Sequence, residues 1–283
     1  QGADQHKRHS CPLLEMAVML AAPFCYVPGN RLPMCIVLFD WRPGAATPLS
    51  VAANRDEFHA RPTEAARWRG DVFCGLDIRA GGTWLGIHRD GRFAVITNFR
   101  EPIAEPGGGE RSRGLLPQAF LESRDTPQTF CAALADEQHH YAGFNLLVGD
   151  RRTLWYLSNR GAAPRPVDPG LHGLSNGLLD EPWPKVARGK ANLDRALGRE
   201  AGLEGLLDVV NDRHQPADSE LPDTGVSREL ERLVAPVFIQ SDQYGTRASS
   251  AVQLHDDGHI EMAEQSWQPN GQPDGPVRYS QAL

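Results

Sequence analysis

Residues 33–44 read PMCIVLFDWRPG, and residues 49–57 read LSVAANRDE. Both carry β-prone apolar runs, and the segment between them, DWRPGAATP, holds the Pro-Gly pair that punctuates a turn. The pattern predicts an antiparallel hairpin whose first strand opens on Cys35, with Met34 directly before it.

What precedes that strand does not share its character. Residues 1–33 place a basic stretch ahead of PLLEMAVMLAAPFCYV, a loose imitation of a secretory signal. Glu15 interrupts the apolar part, no small-x-small site sits just before Cys35, and the run is shorter than the ~20 apolar residues of a membrane span. A start assigned upstream of the true one, a propeptide and an export signal all stay open. The first is the expectation: Met34 begins the native chain, 1–33 is a leader outside the native fold, and 34–283 is a single domain.

Beyond the hairpin, TWLGIH and RFAVITNF predict two strands joined at Asp90-Gly91. LLPQAFLESR and TPQTFCAALADEQHHY have helical spacing, the second with Thr126 as cap before Pro127. GFNLLVGDRRTLWYLSNRG (143–161) is a further strand pair, and 170–185 reads as a loop. VARGKANLDRALGREAGLEGLLDVVND is helix with glycine breaks, and 246–267 closes with two strands about Asp257-Gly258. Grouped runs of strands and helices favour α+β with layered antiparallel sheets over an alternating parallel fold.

The 283 residues are 40% hydrophobic and 23% charged, as in a soluble globular protein, and a net charge of −7 gives no electrostatic reason to expect nucleic acid as a partner. Cys11, Cys25, Cys35, Cys74 and Cys131 form no CxxC pair, a poor disulfide framework that suits a reducing, cytoplasmic compartment. No HExxH, Walker, GxGxxG or GxSxG pattern occurs, and the adjacent His139 and His140 cannot form an i, i+4 metal pair. No cofactor or metal is expected. Oligomeric state is not encoded in any pattern here.

Initiator methionine is removed before a small residue, and cysteine is small enough. Its loss would put a thiol and a free α-amine on Cys35. An α-amine with a reference pKa of about 7.7–8.0 can act as a general base toward its own thiol. Arg55, at the end of the neighbouring strand, is placed to favour the thiolate. The plain alternative is a cysteine buried at a strand start, and spacing alone does not separate the two.

MCIVLFDW followed by LSVAANRDEFHARP resembles the NRDE family, which includes the transport-and-Golgi-organisation proteins. GGTWLGI (81–87), RFAVITNFR (92–100), SRGLL (112–116), YAGFNLLVGD (141–150), HGLSNGLLDEPWPK (172–185) and YGTRASSAVQL (244–254) extend the resemblance in order to about Trp267. That family in turn resembles the N-terminal-nucleophile (Ntn) cysteine amidases, which implies a four-layer αββα sandwich with the nucleophile at a strand end. By the same resemblance Cys35 is the candidate nucleophile, and Arg55 with Asp56 holds the thiolate and the α-amine. The amidases space those two differently, so Asp56 versus Glu57 is open. Asn176 and Asn98 resemble oxyanion donors, and Arg247 a late active-site arginine. Both asparagines also suit turns, and Arg55 with its acidic neighbours also suits a structural ion cluster.

Two functions follow. One is an enzyme in which Cys35 attacks an amide or thioester of a small molecule. The other is a non-catalytic binding or trafficking protein on the same fold, with a lipid, acyl-CoA or haem as ligand.

Overall fold

The computed structural model describes residues 34–101 and 109–282; the leader expected over 1–33 lies outside them. In chain order the strands are β1 (Cys35–Trp41), β2 (Leu49–Phe58), β3 (Thr63–Arg69), β4 (Val72–Asp77), β5 (Leu85–His88), β6 (Phe93–Asn98), β7 (Phe144–Gly149), β8 (Leu154–Ser158), β9 (Arg165–Pro166), β10 (Gly170–Leu174), β11 (Tyr244–Leu254), β12 (Ile260–Gln268), β13 (Gln272–Pro273) and β14 (Arg278–Ala282). The helices are α1 (Leu115–Glu122), α2 (Pro127–Glu137), α3 (Pro184–Leu197), α4 (Leu203–Val210) and α5 (Arg228–Val234).

The hairpin read from residues 33–57 forms, with β1 antiparallel to β2 in a register running from Cys35↔Arg55 to Trp41↔Leu49. It is the centre of a first sheet ordered β10-β1-β2-β11-β12, where β13 and β14 both pair with β12. The second sheet is a meander from β3 to β9, each strand beside the next in sequence. Every named pairing is antiparallel.

Burial explains why β1 is apolar on both faces. Cys35, Val37, Phe39 and Trp41 belong to the core between the sheets, while Ile36 and Leu38 belong to a second core under the helices. α3 and α4 pack on the first sheet, α5 adds Leu230 and Val234 to that core, and α1 and α2 pack on the second sheet. The result is the αββα sandwich of an α+β protein. α3 lies close to β1 because Gly189 faces Leu38, whose Cδ1 a β-carbon at that glycine would approach to 2.5 Å.

The loop expected over 170–185 is a correction. Its first residues form β10, which pairs with the outer edge of β1 (Val37↔Leu174 to Trp41↔Gly170), and its last two open α3 with Pro184 in the first turn. An unpaired edge on so apolar a strand would leave its backbone groups unsatisfied, and that demand outweighs the weak strand propensity of GLHGL. β3 and β14 are strands the sequence pattern did not announce.

Candidate functional site

Cys35 opens β1 and faces the space between the sheets, where it is 5% exposed. It lines a cavity of ≈ 340 Å³ with Arg55, Glu57, Asp77, Trp84 and Asn98 among the walls. The amide N–H of Asp56 donates to the Met34 carbonyl at 2.9 Å, which fixes the end of the β1–β2 ladder at the cysteine.

The alternation of β2 divides the NRDE tetrad between two compartments. Arg55 and Glu57 turn their side chains to the cavity with Cys35; Asp56 also lines it but turns its carboxyl to Thr246 on the opposite strand face. Arg55 Nη2 donates to Asp77 Oδ2 at 3.2 Å and lies 3.8 Å from Glu57 Oε2. Arg61 Nε sits 2.6 Å from Asp77 Oδ2 and 3.6 Å from Glu57 Oε2, closing a four-member ion cluster beside the thiol. On the other face, Asp56 Oδ1 accepts from Thr246 Oγ1 at 2.7 Å, while its buried Oδ2 has no hydrogen-bond partner among the described residues.

These surroundings set the protonation states. Burial, and then the charge of Asp56, push the Cys35 thiol up to about 12, against the smaller pull of the Asp56 amide and the Arg55 guanidinium. With Met34 attached, the sulfur is therefore a thiol at neutral pH. Burial raises Asp56 to about 7, and Lys185, Thr246 and Arg55 work against that rise.

Asn98 ends β6 on the cavity wall, and its carbonyl accepts from Asn176 Nδ2 at 2.8 Å. Asn176 itself is buried behind that wall, its carbonyl taken by the Arg100 amide at 2.7 Å. Ser175 Oγ donates to the Cys35 carbonyl at 2.8 Å, so the segment after β10 is tied to both the cysteine and Asn98. Arg247 lines the cavity but spends its guanidinium on the β2–β3 connection. Nη1 donates to the carbonyls of Phe58 (3.0 Å), His59 (2.9 Å) and Arg61 (3.2 Å), and Nη2 reaches Thr63 Oγ1 at 3.4 Å.

Three features escaped the sequence reading. Asp77 and Arg61 complete the ion cluster. Tyr244 Oη accepts the Met34 N–H at 2.6 Å, in a buried site. Lys185, at the start of α3, is 4% exposed and donates to the Val234 carbonyl at 3.2 Å. The signal for Lys185 was compositional: it is one of three lysines in a chain that otherwise uses arginine. The loop before β5 is held against the start of α1 at Gly82, where an added β-carbon would lie 2.4 Å from the Gly114 carbonyl group. Among the described residues no grouping of three His, Cys, Asp or Glu could hold a metal, and no helix is long and apolar enough to cross a membrane.

The arrangement provides a buried thiol in the wall of a polar cavity, a guanidinium across the strand pair and a buried carboxyl behind the backbone that leads into the thiol. The family profile described as Transport and Golgi organisation 2 matches residues 34–269. The mouse Transport and Golgi organization 2 homolog is 34% identical over 263 residues, covering 82% of this chain and 93% of that protein. The human homolog matches at the same identity and coverage, and the Drosophila melanogaster protein is 26% identical over 262 residues, covering 82% and 92%. A solved structure, the Caenorhabditis elegans orthologue of N-acylethanolamine-hydrolyzing acid amidase, aligns with a TM-score of 0.47 and 12% identity, over 62% of this chain and 85% of that one. On the profile match and the relatives above, the chain belongs to the Transport and Golgi organisation 2 family.

Proposed function

We propose that this protein is an N-terminal-nucleophile-type cysteine hydrolase acting on an amide or thioester bond of a polar small molecule. The observation that carries the reading is the place of Cys35: first residue of its strand, on a cavity wall, opposite Arg55, with Met34 just ahead. Loss of Met34 frees an α-amine at the head of β1, close to the strand face that carries Asp56. That amine takes the thiol proton, Sγ bonds to the substrate carbonyl carbon, and the oxyanion meets amide donors from the Asn98 region. As the carbonyl reforms, the bond to the leaving amine or thiol breaks and the α-ammonium returns the proton to it. Water then attacks the acyl-enzyme thioester, giving the acid and restoring the Cys35 thiol. Arg55 stabilises sulfur as thiolate, and Glu57 with Asp77 holds that guanidinium in place. Asp56 is the candidate anchor for the amine, a choice over Glu57 that its buried, helix-facing carboxyl supports. Cys35, Cys74 and Cys131 are all free thiols, which suits a reducing compartment such as the cytoplasm.

A second reading is favoured by one observation, the thiol raised to about 12 while Met34 is attached. A chain that keeps Met34 would bind a ligand in this cavity without attacking it, and the relatives' names speak of transport. The walls carry several arginines and carboxylates, which suits a polar acyl conjugate.

The test is protein expressed from Met34. Intact mass should show loss of the methionine, and iodoacetamide or an acyl probe at neutral pH should label Cys35 well ahead of Cys74 and Cys131. Retained methionine with equal labelling of the three thiols overturns the hydrolase.

A further inference from the structure

Behind the cysteine, on the helix-facing side of the first sheet, lies a buried set of charges that the reaction above uses only in part. Lys185 is 4% exposed, and its single hydrogen bond among the described residues, to Val234, is to a neutral carbonyl. A buried ammonium is tolerated when an anion faces it. Two buried acids act on this one, Asp56 and Glu231, neither of them within the 4 Å of an ion pair. Glu231 is already taken, 2.8 Å from Arg100 Nη1 and bonded by the Thr224 hydroxyl and amide. Asp56 has a buried oxygen, Oδ2, with no hydrogen-bond partner among the described residues. The other charged or titratable groups around the pair are Arg55 and Glu57 on β2, Cys35 on β1, Tyr244 on β11 and Arg100 after β6.

We propose that Lys185 is a positioning residue of the Cys35 site, its buried ammonium holding Asp56 as a carboxylate behind the sulfur. This rests on the hydrolase reading, in which Asp56 anchors the amine. The mutual effect is visible on both partners: burial lowers Lys185 to about 8 and raises Asp56 to about 7, while each one's charge opposes the other's displacement. Lysine suits the task better than arginine because its compact charge responds to such an environment.

The sign of the consequence is fixed by electrostatics. An unshielded Asp56 carboxylate raises the thiol pKa, and an unshielded Lys185 lowers it. The experiment is the pH profile, from pH 7 to 10.5, of Cys35 alkylation by iodoacetamide, read by peptide mass, in the full chain and in protein expressed from Met34. Lys185→Met should label up to about tenfold more slowly between pH 7 and 8, where the wild-type ammonium is charged, the equivalent of about one pH unit in thiolate population, and the difference should close above pH 9. Asp56→Asn should move the profile the other way, the doubly substituted protein should return toward wild type, and Lys185→Arg should match wild type below about pH 8 and, staying charged, label faster above it. A merely structural lysine would not produce opposite shifts that cancel. Unchanged profiles in all variants overturn this inference while leaving the hydrolase reading intact. A Cys35 that stays unlabelled in every protein overturns both. Should Lys185→Met fail to fold, the order of Asp56→Asn, the double variant and Lys185→Arg decides, and a double variant as fast as Asp56→Asn is the overturning result.

Discussion

Replacing Arg247 by methionine keeps most of the stem's packing and deletes the clamp on the β2–β3 connection. The two hydrogens on Nη1 serve three carbonyls, those of Phe58, His59 and Arg61, so they count as two charged bonds. Charged hydrogen bonds contribute about 1.5–3 kcal/mol each, and the half-buried position lets water replace part of that, which leaves about 3 kcal/mol. For a chain of this size the loss corresponds to a fall in Tm of about 6–12 °C. Differential scanning fluorimetry with urea unfolding reads it directly, and Arg247→Lys should recover only a minor part because a point charge cannot replace the planar fork. Arg61 and Thr63, both cavity walls, sit on the clamped segment, so Cys35 labelling should weaken together with stability. A Tm within about 2 °C of wild type, with labelling or turnover abolished, would refute the clamp and make the guanidinium a participant in the chemistry.

Gly82→Ala should lower stability by about 1–3 kcal/mol, because its β-carbon meets rigid backbone rather than a movable side chain; urea denaturation checks this, and an unchanged midpoint would count against the tight approach to Gly114. The His172–Asp180 pair, 2.6 Å apart, predicts a pH window for stability. Burial opposes both charges, but the mutual hydrogen bond, with Lys190 on the aspartate, wins: His172 is raised and Asp180 falls to about 2. The aspartate's contribution is complete above about pH 4 and lost as pH falls toward its folded value, while the histidine's is complete below about pH 6.5 and lost as pH rises through its own. Wild type should therefore exceed Asp180→Asn most between those limits, and a difference that kept growing up to pH 9 would contradict the pairing.

Much of the fold was legible because the decisive strands are apolar and their turns are explicit. CIVLF, the Pro-Gly turn and the NRDE-bearing strand specify the central hairpin without help from the rest of the chain. GLHGL did not read as a strand because its glycines have little β-propensity; the need comes from the edge of β1, which no local pattern reveals. β3, TEAARWR, has a mostly polar alternation that suits a sheet edge and equally suits a loop. The candidate site divides in the same way. Cys35 and Arg55 were legible from their positions at one end of the hairpin. The separation of Asp56 from Glu57 was not, since SVAA is small and apolar on both faces and hides the phase of β2. Once Val51 and Ala53 are known to face the second sheet and Ala52 the helices, alternation assigns both acids. Lys185 was least legible, because a lysine in the first turn of a helix ordinarily lies in water, and only the packing of α3, α5 and β2 around it says otherwise.

Met34 is 2% exposed, with its amide hydrogen-bonded to Tyr244, its carbonyl to Asp56 and its sulfur to Arg100. A trimming peptidase has to draw the scissile bond into its own cleft, and a bond buried in this way cannot be drawn out without dismantling the sheet. On the proposed reading, with Met34 as the first residue, maturation at Cys35 would thus be a race on the nascent polypeptide, decided before the head of β1 zips onto its neighbour. Molecules that lose the race would stay folded without the free α-amine on Cys35, so that reading divides one gene product into two populations differing by a single residue.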